Sequence, residues 1–128
     1  MRLYFHKHPY QTITFYDARQ STLSKKGLSG HTGRMIVAAF DVGGARIGVA
    51  LGTEEVGIAS PWGIIDAKPE ETCKERMYAF LQKEGVEKIV VGMPRLLRER
   101  GNDTQQQQAI RAWAERMFAG DSREVVYE

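Results

Sequence analysis

Residues 35–52, MIVAAFDVGGARIGVALG, constrain the fold more than any other stretch. An apolar run, 36–40, ends at Asp41. Val42, Gly43, Gly44 and Ala45 follow, and Arg46 opens a second apolar run, 47–51. Two strand-like runs joined through a Gly-Gly predict a β-hairpin. On the plain reading Asp41 is a turn former, and Gly43 and Gly44 supply positive φ angles. A carboxylate at a strand end beside glycines has a second property. Little side-chain bulk stands between it and a metal ion or a phosphate.

The residues after the hairpin predict an alternation of strands and helices. A second turn at 53–57 leads to a third strand over 58–67, interrupted at Ser60-Pro61, where proline suits an edge or a bulge. Residues 69–83 predict a helix with Glu70 and Glu71 near its positive end, Cys73, Met77, Phe80 and Leu81 on one face, and Gly85 as its C-cap. The run 89–93 is almost wholly apolar, which suits a central parallel strand buried on both sides. Strand, helix, strand in that order argues for a right-handed βαβ crossover. After a basic loop with Arg95, Arg98 and Arg100, the polar run 102–104 offers N-cap residues to a second helix. There Ile110, Trp113, Ala114, Met117 and Phe118 form an apolar stripe. Gly120 ends that helix, and 123–127 begins a last strand.

A length of 128 residues suits one domain with a single core. No apolar run approaches the roughly 20 residues of a membrane span, and the first residues do not resemble a secretion signal. The lone Cys73 excludes an internal disulfide and cysteine-rich zinc sites, and it fits a reducing compartment, so the chain reads as cytoplasmic. The net charge of +2 is unevenly spread: residues 1–34 hold six basic residues against the single acid Asp17, a net of +5, which leaves −3 for the rest. The basic balance is therefore poor support for nucleic-acid binding by the body. Residues 2–16 are rich in Tyr, Phe, Thr and Ile, with a strand allowed over 11–16, whereas 20–34 have the composition of a linker. The expected organisation is a leader over 1–34, non-native or flexible, and a domain over 35–128.

The segment Asp41-Val42-Gly43-Gly44-Ala45-Arg46-Ile47-Gly48-Val49-Ala50 resembles the first two strands of the YqgF/RuvX family, ribonuclease H-like proteins related to RuvC resolvases. Gly92-Met93-Pro94 resembles the family's Gly-Leu-Pro after the fourth strand, and Val125-Val126-Tyr127 the strand that leads to its Asp-Glu-Arg motif. The resemblance implies an α/β fold with a mixed sheet, three antiparallel strands followed by parallel ones, and flanking helices. It also implies that Asp41 is a catalytic, metal-binding residue serving Mg²⁺ or Mn²⁺. The implied activity is that of a metal-dependent nuclease on RNA or branched DNA, in pre-16S rRNA processing or Holliday-junction resolution. Glu128 falls just before the family's later acidic motif, so the expectation is a chain without the remaining catalytic acids and inactive or nearly so. An uncovered sheet surface would then favour a homo-oligomer. A faint likeness of 16–22 to that later motif is a rival reading, with Ala18 at the acidic position.

Other side chains carry weaker signals. Arg46 suits a phosphate contact or a surface ion pair. Arg95, Arg98 and Arg100 suit contacts to a nucleic-acid backbone, or simply a solvated loop. Trp113, at helical spacing, is expected in the core. Cys73 and the three histidines lack partners for nucleophilic or zinc chemistry, and the glycine pair lacks the Gly-Lys-Ser/Thr ending of a Walker loop. Against the nuclease stands a catalytically inactive nucleic-acid-binding or structural domain of the same fold. A phosphotransferase reading rests on fold-level analogy alone.

Overall fold

The computed structural model describes residues 2–5, 13–16, 34–55, 58–94 and 104–128. Strands β1 (Arg2–Phe5), β2 (Ile13–Tyr16), β3 (Ile36–Val42), β4 (Arg46–Thr53) and β5 (Ile58–Asp66) come first. Helix α1 (Glu70–Lys83), strand β6 (Lys88–Val91), helix α2 (Gln105–Met117) and strand β7 (Glu124–Tyr127) complete the chain. One sheet holds the strands in the order β1-β2-β5-β4-β3-β6-β7. β3, β4 and β5 are antiparallel, while β6 and β7 run parallel to β3. This is the mixed sheet implied by the resemblance. It is extended at one edge by the β1–β2 pair, which joins β5 through Ile13↔Ala59 and Thr14↔Ile58.

Alternation along the strands sends large and small residues to opposite faces. One face packs against both helices. Phe40, Ile47, Val49, Ile65, Ile89 and Val91 meet Cys73, Met77, Phe80 and Leu81 of α1, together with Ile110, Trp113, Ala114, Met117 and Phe118 at α2. Phe40 is fully buried between Phe80 and Phe118, with ring centroids 6.2 and 5.9 Å away. The predicted apolar stripes of both helices are thus the ones that pack, and Trp113 is buried. The other face carries a smaller cluster, Val37, Ala39, Ala50, Ala59 and Val90.

The helices have defined ends. Thr104 closes a capping box with Gln107: its hydroxyl accepts from the Gln107 N–H at 3.2 Å, and its own N–H donates to Gln107 Oε1 at 2.7 Å. The two helices are tied together where Arg116 Nε donates to Glu70 Oε1 at 2.8 Å and Tyr78 Oη donates to the Met117 carbonyl at 3.1 Å. Gly85 and Gly120 follow the two helices with φ of 65° and 78°, the left-handed conformation expected after a helix end.

The interruption at Pro61 is a bulge. Ala50 pairs with Pro61 and Val49 with Gly63, which leaves Trp62 as the extra residue. Its ring turns onto Phe80, with centroids 4.5 Å apart.

Candidate functional site

The hairpin between β3 and β4 closes through Gly43, Gly44 and Ala45. The Gly43 N–H donates to the Arg46 carbonyl at 2.9 Å. Neither glycine adopts a positive φ, contrary to the plain reading of the sequence. Gly43 is needed for a different reason: a Cβ there would lie 2.7 Å from the Arg46 carbonyl oxygen. Around Gly44 there is open space. One glycine therefore permits a close backbone approach, and the conformation demands nothing of the other.

This turn fixes the register that places Asp41. Asp41 lies opposite Gly48, and Gly48 lies opposite Ile64 of β5. Residues opposite one another in a ladder share a face, so Ile64, Gly48 and Asp41 form one row. Their face is the one turned away from the helices, since Phe40 and Val42 on either side of Asp41 pack on the helix side. The Asp41 side chain is exposed, and among the described residues no hydrogen bond or ion pair is recorded for it. Arg46, two residues before Gly48, is exposed on the same face and pairs in register with Asp66. Asp66 itself makes a 3.9 Å contact with Arg76 of α1. The sequence-predicted Asp41 and Arg46 are thus brought to one corner of the sheet, around a bare glycine.

The row continues on the other side of β3. The Gly92 N–H donates to the Phe40 carbonyl at 2.9 Å. The Glu128 N–H donates to the Val91 carbonyl at 3.0 Å, and the Met93 N–H to the Glu128 carbonyl at 2.9 Å. Glu128 therefore sits beside Gly92, and its Cα lies about 10 Å from that of Asp41, two strand spacings across the sheet. The sequence marks Glu128 only as an acid just before the family's later motif; its nearness to Asp41 depends on parallel register and not on any local motif.

A two-ion nuclease centre holds its divalent ions about 4 Å apart between clustered carboxylates. Among the described residues, no group of three or more His, Cys, Asp and Glu side chains is arranged to hold a metal ion. These residues alone do not fit a complete two-metal centre. Arg95, Arg98 and Arg100 lie outside the described residues. Cys73 is buried against the sheet, and burial pushes its thiol pKa up, which suits packing and not nucleophilic chemistry. Among the described residues no helix is long and apolar enough to cross a membrane.

Residues 35–127 match the family model described as RuvX, Holliday junction resolvase. A protein of Chloroflexus aurantiacus named "Putative pre-16S rRNA nuclease" is 42% identical over 67 residues, covering 52% of this chain and 44% of that protein. One of the same name from Thermus thermophilus is 47% identical over 60 residues, covering 47% and 44%. The matched part of the chain thus spans less than half the length of these two relatives. Among solved structures, Thermus thermophilus RuvC in complex with a Holliday junction substrate aligns with a TM-score of 0.47 at 16% identity, covering 73% of this chain and 65% of that one.

Proposed function

Because the chain belongs over residues 35–127 to the RuvX Holliday junction resolvase family, we propose that it serves a metal-dependent nuclease that acts on structured nucleic acid. The substrate is either the precursor end of 16S rRNA, for which the relatives are named, or a four-way DNA junction, for which the family is named. The observation that carries this reading is the placement of Asp41. An exposed carboxylate stands at the end of a buried strand, beside glycine, on the face of the sheet turned away from the helices.

In this reading Asp41 is the first ligand of a divalent ion, Mg²⁺ or Mn²⁺, whose chemistry would be to activate water and stabilise the leaving oxygen. Arg46 at the same corner contacts a neighbouring phosphate. Arg95, Arg98 and Arg100 supply further sequence-independent affinity for the backbone. The second reading, a non-catalytic nucleic-acid-binding domain, is favoured by the finding that no group of three or more His, Cys, Asp and Glu side chains among the described residues is arranged to hold a metal ion.

Two measurements separate the readings. Calorimetric titration with Mn²⁺ is expected to detect one weak site that disappears in Asp41→Asn. In assays with Mg²⁺ or Mn²⁺ on a structured RNA and on a four-way DNA junction, any cleavage is expected to vanish in the same variant. Nucleic-acid binding without Asp41-dependent metal binding would support the non-catalytic domain. Cleavage that survives Asp41→Asn would remove Asp41 from the chemistry.

A further inference from the structure

Gly48 has no evident conformational reason to be glycine. Its φ is not positive, and a Cβ built on it would make only an ordinary 3.6 Å contact with the Asp41 Cβ. What the missing side chain does provide is an open strip of backbone with a different chemical group on three sides. Asp41 lies across one ladder and Ile64 across the other. Arg46 is two residues along the same strand and shares its face, about 7 Å away at the Cα atoms.

Ile64 is the unusual member of this group. It is 62% exposed, one of two exposed large hydrophobic side chains among the described residues, and the other, Trp62, rests on Phe80 on the helix side of the sheet. Among the described residues, its ladder and strand neighbours on that face are Gly48, Arg46 and Asp66. A lone apolar side chain with polar neighbours makes a poor protein-docking patch, because a stable interface needs on the order of 1,000 Å² of buried surface. An acid, a cation and one apolar surface around an open floor instead match a ligand that is anionic and apolar by turns. A nucleotide has that character.

We propose that Gly48 and Ile64 form the floor and wall of a nucleotide seat beside Asp41, in which Ile64 packs against the sugar or base of the strand whose phosphate lies at Arg46. The inference rests on the nucleic-acid reading above and adds to it a substrate-contacting residue. Arg46 and Ile64 are diagonal neighbours on adjacent strands, about 8 Å apart. At a stacked rise of about 3.4 Å per nucleotide, the contacted nucleotide lies within about three positions of that phosphate.

The test uses the 128-residue chain with two labelled probes, an RNA hairpin carrying a single-stranded 5′ extension and a four-way DNA junction. The variants are Ile64→Thr, which keeps a β-branched side chain in the strand while losing apolar contact, Ile64→Val as the conservative control, and Gly48→Val, which fills the floor. Thermal melting by circular dichroism reports on the fold of each. Ile64→Thr is expected to weaken binding of at least one probe by about tenfold, as the loss of a partly buried apolar contact requires. Ile64→Val is expected to restore most of the affinity, and Gly48→Val to weaken binding at least as much as Ile64→Thr. Wild-type affinity in both Ile64→Thr and Gly48→Val would overturn the seat while leaving the nucleic-acid reading intact. So would a change in self-association with no change in nucleic-acid affinity. If the unmodified chain binds neither probe, the nucleic-acid reading falls and the seat with it.

Discussion

The two faces of the sheet are built from the same strands and differ in almost everything else. Toward the helices β3 presents Ala38, Phe40 and Val42; away from them it presents Val37, Ala39 and Asp41. β4 sends Ile47 and Val49 to the helices and Gly48 to the other side. The first face is filled by bulky side chains that interlock with two helices. The second is lined by small residues that are equally buried along the middle of the strands, and it exposes an acid with bare backbone beside it only at the end of β3. At the end of β3 a packed residue and an exposed one thus stand one residue apart. Asp41 is held rigidly because Phe40 and Val42 are packed, while its own carboxylate remains free of that packing.

The sharpest way to break this division is to mutate neighbours on opposite faces. Phe40→Ala removes a fully buried ring that touches Phe80 and Phe118. It is expected to cost about 3–5 kcal/mol, the usual range for an aromatic-to-alanine cavity. Asp41→Asn, one residue on, is expected to change stability by no more than about 0.5 kcal/mol, as for other exposed sites outside a packed or paired feature. Urea denaturation of the two variants measures both. Comparable losses would mean that Asp41 is part of the packing, and the separation of the faces would fail.

The hairpin turn offers a smaller contrast between adjacent glycines. Gly43→Ala drives a Cβ against the Arg46 carbonyl oxygen and is expected to destabilise by about 1–3 kcal/mol through local overpacking. Gly44→Ala meets nothing within 4 Å and has no positive φ to lose. It is expected to be neutral or to add up to about 1 kcal/mol by reducing the entropy of the unfolded chain. The same denaturation series checks both, and equal effects would contradict the close approach at Gly43.

This pair also marks how far the sequence is legible. Strands β3–β7 follow from apolar runs bounded by turn residues, and both helices from apolar side chains that recur at 3.6 residues. The helix stripes from Cys73 to Leu81 and from Ile110 to Phe118 are read directly in this way. The motif around Asp41 identifies the acid and the turn, but the need for Gly43 arises from a backbone contact that no composition rule reveals. The pairing of β2 with β5, the bulge at Trp62, and the Ile64–Gly48–Asp41 row depend on register between segments apart in the chain. Counting back across the hairpin gives Gly48 opposite Asp41; no comparable count crosses from β3 to Glu128, because parallel strands are joined by helices of no fixed register.

The smallest expected effect lies on the helix face, where α1 and α2 meet at the surface. Arg116 beside Glu70 holds the Glu70 carboxyl below its usual range, mainly through their side-chain hydrogen bond, and Glu70 in turn raises the Arg116 pKa. Both side chains are largely exposed, so the pair is screened by water and contributes little. The sign of its pH dependence is nevertheless fixed. A carboxyl whose folded pKa is depressed stabilises the fold at pH values above its unfolded pKa, and that contribution is lost as the pH falls through the folded pKa. Glu70→Gln is therefore expected to be slightly less stable than the parent at neutral pH and equal to it once Glu70 is protonated in both states. Thermal melts of the two proteins from pH 7 down to acid measure the gap. A gap that widened on acidification would show that the Glu70–Arg116 contact is not what lowers the carboxyl pKa. A constant gap would assign the effect of the substitution to packing or helix propensity instead of charge.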